Sequence, residues 1–252
     1  MPISEGGVVE SAAPPADDLQ IAGLVPLSTV DWPGKLVASV FCQGCPWNCP
    51  YCHNHALIDM RMPGLVDWDE VRALLARRRG LLDGVVFSGG EAARQDALVA
   101  AAREVKESGF LVGLHSAGCY PKKLEELLAA GLVDWVGLDV KAMPENYGAV
   151  AGVGVAAQKA WDSLRVVLGN KMRGNLADYE IRLTIFPGGP RDAVQVAHAL
   201  KEEGVENFAL QVARAQGARE GFVDSGPGWG EYCESVAQVA RELGFETFTY
   251  RD

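Results

Sequence analysis

Short apolar runs alternate with amphipathic stretches along most of the chain. Six runs have strand character: residues 36–42, 84–88 (GVVFS), 111–115 (LVGLH), 135–140 (WVGLDV), 180–186 (EIRLTIF) and 207–212 (NFALQV). They are short, rich in β-branched residues and apolar on both faces, as strands buried in a parallel sheet are. Helical spacing fills the gaps, over 68–79, 95–108, 121–130, 156–168 and 191–203. Several of these stretches stop at a glycine, among them Gly80, Gly109, Gly131, Gly169 and Gly204, a common helix terminator. A last helix over about 231–243 precedes a short strand-like end at 245–250. Strict alternation of strand and helix predicts an α/β fold with parallel strands and right-handed crossovers. Periodicity does not choose between an open doubly wound sheet and a complete or partial barrel. In each, reactive residues belong at the C-terminal ends of the strands.

Residues 1–18 (MPISEGGVVESAAPPADD) break this pattern. They are small, acidic and Pro/Gly-containing, and read as a disordered tail before a single domain over 19–252. The barrel core is expected over about 36–214, with the C-terminal helix and strand at about 230–250. The length of 252 residues and the 48% hydrophobic content suffice for a sizeable core. The net charge of −10 argues against binding a nucleic-acid backbone. No Lys or Arg precedes Lys35, and the uncharged stretch 36–58 is broken by Gln43, Asn48, His53 and prolines, so neither a secretory start nor a membrane span is expected. The reading is a cytoplasmic protein.

Composition says less about chemistry than one short segment does. Four of the six cysteines, Cys42, Cys45, Cys49 and Cys52, fall directly after the first strand run. In a reducing compartment such crowding points to metal or redox chemistry rather than disulfides. A zinc knuckle would use all four thiolates, but the two pairs are closer together than zinc ribbons place them. A ferredoxin-type run would need a remote fourth cysteine. The third reading takes Cys45, Cys49 and Cys52 as three ligands of a 4Fe-4S cluster, leaving one iron open. Cys42 reads as a neighbour without ligand function, and Cys119 and Cys233 as isolated bystander thiols.

Other strand ends carry polar groups whose plain reading is structural. Ser88-Gly89-Gly90-Glu91 is an ordinary strand-to-helix turn and not a P-loop, since no Gly-Lys-Ser/Thr follows. Asp139-Val140-Lys141 is a polar strand end. His115-Ser116 ends another strand, and His53 follows Cys52. Arg182 and Arg214 either point into a site or form surface ion pairs. Gly152-x-Gly154-x-x-Ala157 lacks the strand and acid of a dinucleotide site.

CPWNCPYC, with Tyr51 at its aromatic position, resembles the C-x3-C-x-aromatic-C motif of the radical S-adenosylmethionine superfamily. The resemblance implies a partial (β/α)6 barrel and two cofactors, a 4Fe-4S cluster on Cys45, Cys49 and Cys52, and S-adenosyl-L-methionine on the open iron. One electron from the cluster then yields a 5′-deoxyadenosyl radical that abstracts hydrogen. By the same resemblance Ser88, Gly89, Gly90 and Glu91 meet the cofactor's amino group, and Asp139 and Lys141 sit by it, the lysine pairing with its carboxylate. Tyr51, His53, His115, Ser116 and Arg214 are further expected cofactor contacts. The stretches IAGLVPLSTVDWPGKLVASVFCQGCPWNCPYCHNHALI, RRRGLLDGVVFSGGE, GLHSAGCYP, VDWVGLDVKA and YEIRLTIFP resemble activating proteins of anaerobic ribonucleoside-triphosphate reductase. That implies a glycyl-radical enzyme activase, with the reductase's glycyl-radical subunit as partner and a flavodoxin or ferredoxin as electron donor. Activases of other glycyl-radical enzymes, such as pyruvate formate-lyase, and radical enzymes acting on small molecules stand as alternatives. The chain departs from the pattern at Ala92-Ala93, where relatives carry Pro and Thr, a change expected to loosen the turn. It departs again at Leu183 and Phe186-Pro187, expected at the site mouth, and at Cys119.

Overall fold

A computed structural model describes residues 13–252. The predicted tail therefore lies mostly outside the described residues, and its end needs correction. Ala16–Asp18 form a 3-10 turn, with Ala16 buried in the main core. Asp17 meets Arg72 at 2.7 Å, and Arg72 also holds Asp69 and Glu104, so ion pairs and one buried methyl fix the turn.

The strands are β1 (Ile21–Ser28), β2 (Val37–Cys42), β3 (Gly84–Gly89), β4 (Leu111–Ser116), β5 (Trp135–Asp139), β6 (Asp178–Ile185), β7 (Asn207–Val212) and β8 (Thr247–Arg251). The helices are α1 (Trp68–Arg77), α2 (Leu98–Glu107), α3 (Pro121–Ala129), α4 (Tyr147–Ala151), α5 (Ala156–Met172), α6 (Ala193–Glu202) and α7 (Trp229–Glu242). All six predicted strands are present. β1 was not expected: it carries Gly23 and Pro26 and runs antiparallel to β2 at the sheet edge, where a missing N–H is tolerated. From β2 to β8 every pairing is parallel.

Strand order decides between the two architectures left open. The sheet runs β1 through β8 in chain order. A doubly wound sheet reverses its order at a switch point, so consecutive order identifies a barrel path. Side chains from β3 to β7 line one cavity, which requires the sheet to curl. β1 and β8 lie at opposite ends of the sheet order and are not paired, so the barrel is partial.

Two apolar cores result. The large one packs the outer sheet face against the helices, with Phe87, Leu114, Leu138, Ile181 and Phe208 essentially inaccessible to water. The small one plugs the barrel interior at the N-terminal end of the strands, where Trp32 stacks on Trp135 at 5.5 Å beside Val37 and Val86. A Cβ at Gly113 would lie 2.8 Å from the Trp32 ring, so this glycine makes room for the plug. Above the plug the interior turns polar.

Candidate functional site

The polar layer above the plug begins with Glu180 and Arg182, adjacent inward positions of β6. Arg182 donates to Glu180 at 2.8 Å, and Arg251 of β8 reaches the same carboxylate at 2.7 Å. Burial would raise the Glu180 pKa, but the Arg251 and Arg182 guanidiniums outweigh it and hold the carboxyl below its usual range. His115 Nε2 lies 2.6 Å from the Asp31 carbonyl, and Nδ1 lies 3.3 Å from the Ser88 hydroxyl. A carbonyl can only accept, so Nε2 carries the proton and Nδ1 accepts from Ser88. Burial, then the nearby Arg182 charge, lowers the His115 pKa to about 4, keeping the ring neutral.

Above this layer lies a cavity of about 250 Å³. Its wall holds Cys45, Cys49, Cys52, Tyr51, His53, Ser88, Gly89, Gly90, His115, Ser116, Asp139 and Lys141. The strand-end residues singled out in the sequence thus meet in one place. Lys141 is buried and donates to Asp139 at 2.7 Å. Burial opposes its charge, yet Asp139 and the neighbouring Tyr51 and Cys49 groups raise its pKa well above the ordinary lysine value. The Tyr51 ring packs 4.8 Å from Phe186, with the Lys141 ammonium 5.6 Å from its centroid.

The cysteine loop is pinned by backbone bonds and by side chains: Gln43 Nε2 donates to the Leu57 and Asp59 carbonyls, and the Arg94 and Gln95 side chains donate to the Gln43 carbonyl. The Gly44 and Cys45 N–H groups donate to Leu57 and Ile58. Gly90 donates to the Cys42 carbonyl and Glu91 to the Gly44 carbonyl, both at 2.9 Å. A Cβ on Gly90 would stand 2.4 Å from the Gly44 oxygen, and one on Gly89 2.4 Å from the Cys42 nitrogen. Only glycines allow the end of β3 to lie this close to the loop.

Two of the residues expected near the cofactor lie off this cavity wall. Glu91 is absent from the cavity wall: it is completely buried and turns toward the end of β4. Its carboxylate accepts from Ser116 Oγ at 3.0 Å, Ala117 N–H at 2.8 Å and Ala93 N–H at 3.2 Å. Arg214 is exposed and bonds the backbone of Asp252, because the chain leaves the barrel after Val212. It borders a neighbouring groove of about 640 Å³ with Asp31, Arg182 and Arg251. That groove shares His53, Asn54, Ser88, His115 and Arg182 with the cysteine cavity, so the two are continuous. A larger groove, about 860 Å³, lies against Pro50 outside the cysteine loop and is lined by none of the cysteines.

The departures also resolve. Ala92 and Ala93 do not loosen the turn, since both are buried in a 3-10 turn closed by the Arg94 N–H to Glu91 carbonyl bond. Leu183 packs in the outer core, because β6 alternation sends Arg182 and Thr184 inward instead. Cys119 is not isolated. It lies against Cys45, and this contact lowers the Cys45 pKa despite burial. Thr184, Gln211, Asn54 and Trp47 line the cavity and were missed. Period-two spacing from Arg182 would have found Thr184; the others have no signal beyond their place in loops and at a strand end.

All six cysteines are free thiols. Burial pushes Cys49 up to about 11 and raises Cys52. Cys45, Cys49 and Cys52 line the same cavity, and a set of three thiolate donors suits an iron–sulfur cluster with one iron left open.

A model of the Radical SAM superfamily matches residues 39–207, more than half of the chain. The chain belongs to this superfamily. A 4Fe-4S cluster and S-adenosylmethionine come with that membership. A putative glycyl-radical enzyme activating enzyme of Methanocaldococcus jannaschii, MJ1227, is 37% identical over 131 residues, covering 50% of this chain and 52% of that protein. A pyruvate formate-lyase-activating enzyme of Clostridium pasteurianum is 32% identical over 141 residues, covering 54% and 58%. The chain spans about half the length of the curated relatives it matches. Among solved structures, a radical SAM methyltransferase from Sphaerobacter thermophilus superposes with a TM-score of 0.61 at 16% identity, covering 87% of this chain and 67% of that one. Streptococcus suis SuiB bound to S-adenosylmethionine gives 0.58 at 12%, covering 83% and 48%. At these identities the likeness is one of fold.

Proposed function

We propose that this chain is a cytoplasmic activase that installs a glycyl radical on a partner enzyme, with anaerobic ribonucleoside-triphosphate reductase as the preferred partner. One observation carries the reading: the three motif cysteines share a small cavity with the Lys141–Asp139 pair, and that cavity opens sideways into a wider groove. Cys45, Cys49 and Cys52 would hold the cluster. When bound, it supplies the electron that splits the sulfonium of S-adenosylmethionine and frees the 5′-deoxyadenosyl radical. Lys141, kept charged and aimed by Asp139, would hold the cofactor carboxylate. Gly89 and Gly90 present bare backbone to the cavity, where a hydrogen bond needs close approach. His115 stays neutral and fixed between Asp31 and Ser88, adding no charge to the cavity. The residues position rather than titrate, as hydrogen-atom transfer requires. The groove of about 640 Å³ gives a peptide segment a lateral way in. No described helix is long and apolar enough to cross a membrane.

The second reading is activation of a different glycyl-radical enzyme, pyruvate formate-lyase, supported by the similarity to activases of that enzyme. The test starts from protein reconstituted anaerobically with iron and sulfide, reduced with a flavodoxin or ferredoxin system, and given S-adenosylmethionine. Release of 5′-deoxyadenosine by the wild type but not by Cys49→Ala is expected. Glycyl-radical spectra recorded on each candidate partner then separate the readings. A fully loaded cluster that releases none overturns both.

A further inference from the structure

β3 pairs with β4 only as far as Phe87 with Leu114, two residues short of Gly89. In a parallel ladder the next donor to β3 would be the Ala117 N–H. That N–H goes to the Glu91 carboxylate at 2.8 Å instead, and the following one, of Gly118, goes to Ser116 Oγ at 2.9 Å. The Gly89 carbonyl therefore leaves the ladder at the cavity wall. Its backbone sits at φ +107°, a region that favours glycine, so no side chain of its own fixes the peptide. What fixes it is Asn54, whose Nδ2 donates to the Gly89 oxygen at 3.0 Å.

Asn54 follows closely on Cys52 and lines both the cavity and the lateral groove. Its own backbone is held: its carbonyl accepts from the Leu57 N–H at 2.8 Å, and the Leu57 carbonyl accepts from Gly44. A carbonyl oxygen has two lone pairs, and Asn54 occupies one of those on Gly89. Neighbouring acceptors are engaged elsewhere: His115 Nδ1 with Ser88, Ser116 Oγ with Gly118, the Asp139 carboxylate with Lys141, and the Glu91 carboxylate with Ser116, Ala117 and Ala93. A cationic amino group entering the cavity needs an acceptor, and the second lone pair of Gly89 supplies one on bare backbone.

We propose that Asn54 is a positioning residue that aims the Gly89 carbonyl at the amino group of S-adenosylmethionine. This rests on the cofactor reading above. Without the Asn54 amide the Gly89 peptide is free to turn, and the contact has to be ordered anew each time the cofactor binds, which costs affinity. A hydrogen bond from a charged donor is about twice as strong as a neutral one, so the loss is large enough to measure. Asn54 acts through Gly89, and its effect is therefore confined to ligands that carry the amino group.

The test compares reconstituted wild type with Asn54→Leu, which keeps the size and removes the donor, and with Asn54→Ala. Iron per chain is counted first. Kd is then measured anaerobically on the loaded protein, by calorimetry for S-adenosylmethionine and by competition for its analogue lacking only the α-amino group. Both variants are expected to load iron and to bind S-adenosylmethionine about fivefold to tenfold more weakly, while the analogue changes by less than about twofold. Equal weakening for both ligands overturns the proposal, since Asn54 then touches the cofactor elsewhere or shapes the cavity as a whole. Unchanged affinity for S-adenosylmethionine overturns it too. So does failure of both variants to take up iron, which makes Asn54 a support of the cysteine loop. A wild type that takes up no iron refutes the ligand assignment itself, and a loaded wild type that binds no S-adenosylmethionine refutes the cavity as its site, so these failures are told apart from the others.

Discussion

Gly90→Ala is the smallest change that tests how the site is held. The added methyl would stand 2.4 Å from the Gly44 oxygen and 2.6 Å from its carbon, against an ordinary contact of 3.4 Å or more. The Gly44 carbonyl must therefore retreat by about 1 Å. That lengthens the Glu91 N–H to Gly44 bond from 2.9 Å to about 3.9 Å, beyond hydrogen-bond range. Overpacking against backbone costs about 1–3 kcal/mol, and the lost bond about 1 more. The sum, about 2–4 kcal/mol, corresponds to a Tm lower by roughly 5–12 °C in a chain of this size. Because Gly44 precedes Cys45, iron uptake should fall together with stability. Gly23→Ala is the control, since its Cβ meets nothing within 4 Å, and it should change stability by less than about 0.5 kcal/mol. Urea unfolding of cluster-free protein and iron counts after reconstitution read both effects. A Gly90→Ala protein as stable as the control, with full iron, would falsify the pinned-loop account.

Lys141→Met should weaken S-adenosylmethionine binding about tenfold or more, roughly 1.4 kcal/mol, by removing the charge that Asp139 positions; calorimetry on the loaded protein checks it, and unchanged affinity would remove Lys141 from the site. His115, held near a pKa of about 4 by burial and Arg182, makes the fold acid-sensitive: the unfolded chain takes up this proton first, so stability present above pH 6.5 is lost as pH falls toward 4, by up to about 3 kcal/mol. His115→Gln should flatten urea-unfolding stability across that window. Glu180 acts at lower pH, because its depressed carboxyl contributes stability above the ordinary carboxylate range that is lost as pH drops through the folded value. Glu180→Gln should cost about 2–4 kcal/mol at pH 7, where it strands the buried Arg182, and should converge with the wild type in strong acid.

The parts legible in the sequence obey a strict local rule. Residues 84–88 and 207–212 are apolar runs of strand length, and β3 and β7 lie on them. The cysteines, Gly89, Gly90, Asp139 and Lys141 were legible because a parallel sheet collects its strand ends on one side. What was hidden depends on long-range contacts. Ile21–Ser28, with Gly23 and Pro26, carries no strand signal of its own until β2 supplies its hydrogen bonds. Glu91 was expected near the cofactor only through the family resemblance, and nothing local in the sequence signals that Ser116 and Ala117 donate to its carboxylate. Cys119 is 74 residues from Cys45 (119 − 45), and nothing local signals their meeting. For Arg214 the sequence allows a site contact or a surface position, and the end of β7 at Val212 leaves it exposed.

The placement of Glu91 gives the SGGE segment a structural part in this chain. Its glycines face the cavity, whereas its acid fastens the end of β3 to the turn after β4 and, through its backbone, to the cysteine loop. Three loops are thus tied at one buried residue, while the sheet beneath them stays open between β1 and β8. Rigidity is concentrated where a cluster must be held, and width is left on the side where the groove of about 640 Å³ meets the cavity of about 250 Å³. A catalyst acting on a free small molecule gains from closing that side and excluding water. One that must admit a loop of another protein cannot close it with its own chain, and the partner's segment then has to supply the missing wall.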